Sequence, residues 1–406
     1  MSIRIAEAGN EGPKVRSDCK VIIELRDSGG LEINVKSKVK SLYGDDILKQ
    51  LQELSDYFGL KNALVSIIDQ GALPFVIAAR FESVVKLLGI SEREYLPAFL
   101  PQNKYSTRRD IFRFTRLYLP GNTPAMMLNA GLHGSNGIIL DLEDSVAPAK
   151  KDEARLLIRN VLRCIDLFGA ERMVRINQGE RGLEDLKYVI PQNVNLVLVP
   201  KCESVEYLKQ VDASIARCKA PEFKDHPVFL MPIIESALGV EMAFELAKAT
   251  PNVVALAIGL EDFTADLGTK RTQEGTESLY ARYRMVNACK AAGIQPIDSV
   301  YSDVDNMDGL RENVASSKAL GFEGMGCIHP RQVPVIQECF APDSDELDKA
   351  MKIVNAAIEG EKAGLGVVSL GSKMIDPPVV KRAERTINLA INLNIIDKNW
   401  RDNYVS

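Results

Sequence analysis

The sequence predicts an α/β protein: a TIM-like (β/α)8 barrel with a C-terminal helical extension, preceded by a small α+β domain. Three observations lead there. Eight short apolar runs alternate with helix-sized intervals between residues 116 and 329, too many for an open sheet of about five to six strands and the right number for a closed barrel. Charged side chains follow those runs at their carboxyl ends. The first 90 residues carry a different, hairpin-like pattern. At 406 residues the chain also exceeds one typical domain of about 100–200 residues. It divides into 1–90 (small domain), 91–110 (linker), 111–342 (barrel) and 343–406 (helical extension).

In the small domain, residues 19–25 (CKVIIEL) and 31–36 (LEINVK) read as strands around Asp27-Ser28-Gly29-Gly30, the chemistry of a hairpin turn. Over 45–58, Ile47, Leu48, Leu51, Leu54 and Phe58 recur every three to four residues, an amphipathic helix that Gly59 ends. A strand at 63–68, a turn at Asp69-Gln70-Gly71 and a helix over 74–88 complete a unit near the lower size limit for independent folding. The polar stretch 91–110 reads as the linker.

The barrel strands are 116–120, 137–142, 172–177, 196–201, 229–234, 254–260, 295–302 and 323–329. The tail adds a helical stripe over 343–362, the segment GLGVVSLGSKMIDPP and a last helix near 379–393. It exceeds an eighth barrel helix, so it should cover something. Its Gly364-Leu365-Gly366 pair lacks the strand and third glycine of a dinucleotide site.

Composition excludes several classes of function. With 46% hydrophobic and 26% charged residues the chain is not disordered. A net charge of -5 argues against nucleic acid as the main partner. The longest apolar runs fall short of the roughly 20 residues that cross a bilayer, so no membrane partner is expected. Met1 begins a polar segment without a secretory signal, which makes a cytoplasmic protein the expectation. Seven scattered cysteines, never spaced as CxxC, fit reduced thiols.

In a parallel barrel the catalytic groups collect where the strands end. Strand two ends in Asp141, Glu143 and Asp144, strand three in Arg175 and Asn177, strand four in Lys201, strand five in Glu235, and strand six in Glu261 and Asp262. Glu235 and Asp262 fall on neighbouring loops as hard oxygen donors of the kind Mg²⁺ takes one or two at a time. Asp144 reads equally as a rim acid or a helix N-cap, and Glu143 as an outer supporting group. Arg175 reads as a substrate contact, with an ion pair at the barrel bottom as the bland alternative. Lys201 lacks a partner base that would mark a Schiff-base amine. His133, His226 and His329 show no paired ligand spacing and read as structural, as do Cys202 and Cys327.

Six motifs in order, RLYLPGN (116–122), LDLEDSV (140–146), VRIN (174–177), PIIES (232–236), GLEDF (259–263) and GSKMIDPP (371–378), resemble the citrate lyase beta subunit and its relatives, the malyl-CoA and citramalyl-CoA lyases. The resemblance implies Mg²⁺ held by Glu235 and Asp262 and Arg175 binding acyl or oxo-acid oxygens. It also implies Asp376 as an acid/base that reaches a neighbouring subunit's barrel, which requires a homo-oligomer. Residues 1–88 resemble the citrate lyase gamma chain, an acyl carrier, through SLYGDDI (41–47) and DQGALPFVIAARFE (69–82). In that family a serine carries a phosphoribosyl-dephospho-CoA prosthetic group. Here AGNEGPKVRSDCKV (8–21) departs from the motif, and Ser17 is the nearest candidate.

The implied activity is cleavage of a 3-hydroxy-acyl thioester, citryl thioester to oxaloacetate and acetyl thioester, with a citrate lyase alpha subunit as a further partner. Two alternatives stand beside it: a malyl-CoA or citramalyl-CoA lyase on free CoA esters, and a noncatalytic scaffold subunit.

Overall fold

A computed structural model describes residues 4–362, 368–370 and 373–401. Alternating burial builds the first sheet: every second residue of β2 (Cys19–Leu25) and β4 (Ala63–Asp69) points into a core of Val21, Ile23, Val65 and Ile67. β1 (Arg4–Gly9), which the sequence reading passes over, pairs antiparallel with β2 at one edge. β3 (Leu31–Ser37) forms the other edge, giving the order β1-β2-β4-β3.

The expected hairpin between 19–25 and 31–36 does not form. β4 inserts between the two strands, antiparallel to β2 and parallel to β3. The reason is burial. β2 and β4 each bury one whole face, whereas no residue of β3 is fully buried. The chain therefore crosses to the sheet edge at Gly29-Gly30, and the Lys40–Phe58 helix returns it to a central strand.

The Pro74–Leu87 helix is buried on all sides from Phe75 to Val85, the condition of a helix between two cores. Ile77, Ala78, Phe81 and Val84 face the small sheet, and Phe75, Val76 and Ala79 face the barrel. Arg80, fully buried, crosses the seam: it donates to both Asp18 carboxylate oxygens (3.0 and 2.9 Å) and to Asn122 Oδ1 (2.6 Å), with Glu153 at 3.4 Å. From the barrel side Arg159 forks onto Glu82 at 2.8 and 2.6 Å.

The stretch after residue 91 connects the units as a fixed strap. Leu100 N–H donates to the Arg163 carbonyl at 2.8 Å, and Asn103 Nδ2 to the Leu162 and Ile165 carbonyls at 3.1 and 2.7 Å.

The eight barrel strands are β5 (Thr115–Pro120), β6 (Gly137–Asp141), β7 (Glu171–Arg175), β8 (Leu196–Val199), β9 (Phe229–Ile234), β10 (Ala255–Ile258), β11 (Gln295–Ile297) and β12 (Met325–Cys327). They pair in parallel from β11 back to β5, then to β12, and a parallel bridge between Asp298 and Met325 closes the ring. Ile139, Met173, Leu198, Met231 and Ile233 fill its interior. The first βα unit has a helix of only four residues, Pro124–Met127, where a longer one was expected. The Pro74–Leu87 helix packs on the Lys151–Cys164 helix.

In the tail, helices Ser344–Lys362 and Pro377–Asn392 pack around Leu347, Val354, Ala383 and Ile387, joined by the small hairpin of β13 (Val368–Leu370) and β14 (Lys373–Ile375). Lys318–Glu346 and Arg385–Glu323 pairs (2.7 and 2.8 Å) tie the tail to the barrel's amino-terminal end, away from the cavity. Gly364-Leu365-Gly366 lies outside the described residues. Among the described residues no helix is long and apolar enough to cross a membrane.

Candidate active site

The carboxyl ends of the strands enclose a cavity of about 690 Å³ lined by, among others, Tyr118, Asp141, Arg175, Glu235 and Asp262. Arg175 ends β7 and lies across the rim. Its Nε and Nη2 donate to Asp141 Oδ1 and Oδ2 at 2.6 and 2.7 Å, Nη1 approaches Glu143 Oε2 at 3.1 Å, and its guanidinium sits 5.4 Å from the Tyr118 ring. Burial alone would raise the Asp141 carboxyl, but the paired Arg175 outweighs it and holds the group below the usual carboxylate range. The same pair raises the arginine against its own burial. Arg175 is therefore a fixed cation with a chosen orientation.

Glu143 is pushed up by burial, with Arg175 opposing, and accepts from Gln178 at 2.8 Å. Asp144 caps no helix, because Ala147 precedes the next helical turn, Pro148–Lys150, and Lys150 precedes the helix that begins at Lys151. Its carboxylate stands half-exposed, 3.9 Å from Arg175 and 3.7 Å from Lys201. Lys201 takes the left-handed backbone conformation (φ 46°), strained for a residue with a side chain. That turn aims its backbone N–H at Glu235 Oε2 (3.1 Å) and its amine into an acidic ring, 3.7 Å from Glu143 and 3.6 Å from Asp262.

Glu235 follows β9 and is buried. Burial first, then the like charge of Asp262, pushes its carboxyl up to about 8. Gly259, before the Leu260–Asp266 helix, passes so close that an added Cβ would sit 2.6 Å from Glu235 Oε1. Only glycine permits that approach. Asp262 lies in the first turn of that helix, half-exposed. Two hard carboxylates that repel each other beside an open cavity fit a divalent cation, which relieves both charges. Among the described residues no group of three or more His, Cys, Asp or Glu is arranged to hold a metal.

Asp376 stands elsewhere. It is the N-cap of the Pro377–Asn392 helix, accepting from Val379 N–H at 3.1 Å, and does not line the cavity. Ser17, at φ 55°, donates its N–H to the Gln70 carbonyl at 3.1 Å. Its loop lies against the rim side of the barrel: Lys150 Nζ donates to the Gly9 carbonyl at 3.0 Å and Asn10 Nδ2 to the Asn122 carbonyl at 3.2 Å.

Sequence reasoning named Arg175, Glu235, Asp262, Glu143 and Asp144, and the fold gathers all five. It assigned no role to Asp141, Tyr118 or Arg116, all of which line the cavity. Arg116 carried a readable signal: a cation at an inward position of an otherwise apolar strand.

Residues 115–330 match the model of the HpcH/HpaI aldolase/citrate lyase family. Residues 11–88 match that of the malonate decarboxylase delta subunit family. The chain is 38% identical over 281 residues to the citrate lyase subunit beta of Haemophilus influenzae, covering 68% of this chain and 97% of that protein. It is 33% identical to the human mitochondrial citramalyl-CoA lyase, covering 78% and 97%. Among solved structures, a CitE protein of Mycobacterium tuberculosis in complex with magnesium, acetoacetate and coenzyme A superposes with a TM-score of 0.57 at 27% identity, covering 70% of this chain and 99% of that one.

Proposed function

The chain belongs to the HpcH/HpaI aldolase/citrate lyase family and is a carbon–carbon lyase; from that premise we propose that it cleaves citryl thioester to oxaloacetate and acetyl thioester at the barrel mouth. The reading is carried by the convergence of Glu235 and Asp262 on one cavity with a guanidinium held rigid by Asp141.

Cleavage takes the proton from the substrate hydroxyl, breaks the carbon–carbon bond toward the thioester, and returns a proton to the carbon left as enolate. Negative charge builds on oxygen throughout. Bound by Glu235 and Asp262, Mg²⁺ would supply Lewis-acid stabilisation of that charge. Arg175 presents its remaining donors to the acid's oxygens, and because Asp141 fixes its plane, little reorganisation is needed as charge develops. The Lys201 amine adds a second positive field at the rim. Asp376 is proposed to move the proton at the enolate carbon, and because it lies outside its own chain's cavity it would do so in a neighbouring subunit's barrel. That assignment makes the working unit a homo-oligomer. An alpha subunit would serve as the acyl-transfer partner.

A second reading, a lyase of free CoA esters, is favoured by one observation: the segment before Asp18 departs from the carrier attachment motif around Ser17. Intact mass of the protein from its native source separates them, since a bare-chain mass removes the tethered thioester. Glu235→Ala is expected to abolish Mg²⁺-dependent cleavage. Unchanged turnover would reject the site and leave the scaffold reading.

A further inference from the structure

Seven of the described arginines are buried to nine-tenths or more, and the partners of six are plain. Arg80 has Asp18, Arg113 has Glu171, Arg155 has Asp185, Arg159 has Glu82, and Arg282 has Asp298. Arg172 donates to the carbonyls of Asn103, Leu162 and Gln192. Arg116 differs. The Nε of Arg116 is unpartnered, as are those of Arg172 and Arg282, but its guanidinium alone has no oxygen acceptor, only the Met231 thioether at 2.9 Å. A thioether is a weak acceptor. A buried cation left without an anion is costly to a fold.

This cation faces the cavity. Arg116 and Tyr118 lie two residues apart on β5 and so on the same face of the strand. Both line the chamber that holds Glu235 and Arg175. The strand paired with β5, β12, contributes Gly326 directly opposite Arg116. A Cβ there would meet Tyr118 at 3.1 Å and Arg116 Nη2 at 3.7 Å, so the absent side chain leaves space beside the guanidinium. The chamber thus has two guanidiniums flanking the Tyr118 ring. Arg175 is oriented by carboxylates at the rim with donors to spare, and Arg116 has no carboxylate at the floor.

We propose that Arg116 is a specificity-determining residue whose guanidinium binds a second carboxylate, so that the oxo-acid half of the substrate is a dicarboxylate. The inference rests on the barrel mouth being the lyase site and names what that site selects. A monocarboxylic oxo acid satisfies the rim alone and leaves the floor cation unpaired. A dicarboxylic one reaches both, and a planar fork suits a carboxylate better than a point charge does.

The test is calorimetric titration of the full chain with oxaloacetate and with pyruvate, each with Mg²⁺ present. The wild type is expected to favour oxaloacetate by roughly tenfold to a hundredfold, the size of a charge-assisted hydrogen-bond pair. Arg116→Met, a neutral side chain among apolar neighbours, should erase that preference, leave pyruvate binding unchanged, and melt no lower than the wild type. Should it fail to fold, Arg116→Lys replaces it, and it should weaken oxaloacetate binding without touching pyruvate. A preference that survives substitution, a wild type without preference, or equal loss of both acids overturns the role of Arg116. Wild-type protein that binds neither acid would instead reject the lyase reading itself.

Discussion

Asp141 holds both oxygens against Arg175 at 2.6 and 2.7 Å, and its own backbone neighbours Glu143 and Ser145 donate to it at 3.0 and 3.2 Å. Asp141→Asn breaks the two-pronged pair while keeping the shape, so turnover should fall roughly tenfold to a hundredfold, as for other groups that orient a site residue, which steady-state kinetics will show. Glu235 gives a pH prediction of definite sign. Its folded value of about 8 lies above its ordinary 4.5, so the folded state holds a proton the unfolded chain has released, and stability falls as pH rises across that window. Thermal midpoints between about pH 5 and pH 8 should decline in the wild type and decline less in Glu235→Gln. Legibility differed between these residues for a physical reason. Acids after strand ends can be read from sequence, whereas the duty of Asp141 depends on where Arg175 comes to lie across the rim. The amphipathic stripe of 45–58 and the eight apolar runs were readable because period alone sets them.

The Pro74–Leu87 helix shows where period stops informing. Burial on all sides means its apolar residues declare no single face, and only the docked pair of cores assigns Phe75 to one and Phe81 to the other. The missed insertion of β4 has a similar origin. Two strands around a glycine turn read as neighbours, yet whole-face burial makes β2 and β4 the central pair. The seam supports an energetic prediction. Arg80→Met leaves Asp18 buried without its cation and should cost about 3–5 kcal/mol in denaturant unfolding, since breaking one side of a buried pair strands the other.

The sequence divides the whole molecule into a small domain, a linker, a barrel and a tail, without showing how tightly they are joined. Polar composition made 91–110 look like a tether, and no local pattern tells that Asn103 is buried under the barrel. A fragment of residues 1–90 would expose Phe75, Val76 and Ala79 together with a Glu82 that has lost Arg159. It is expected to lack protected amides in hydrogen exchange, whereas the same residues in the full chain are protected. The seam of Arg80 and Arg159 has a further consequence for traffic. A module bolted in place cannot swing between workstations. Whatever group Ser17 or its loop presents stays at one fixed address beside the rim, and any outside enzyme that exchanges cargo with it must make the journey itself.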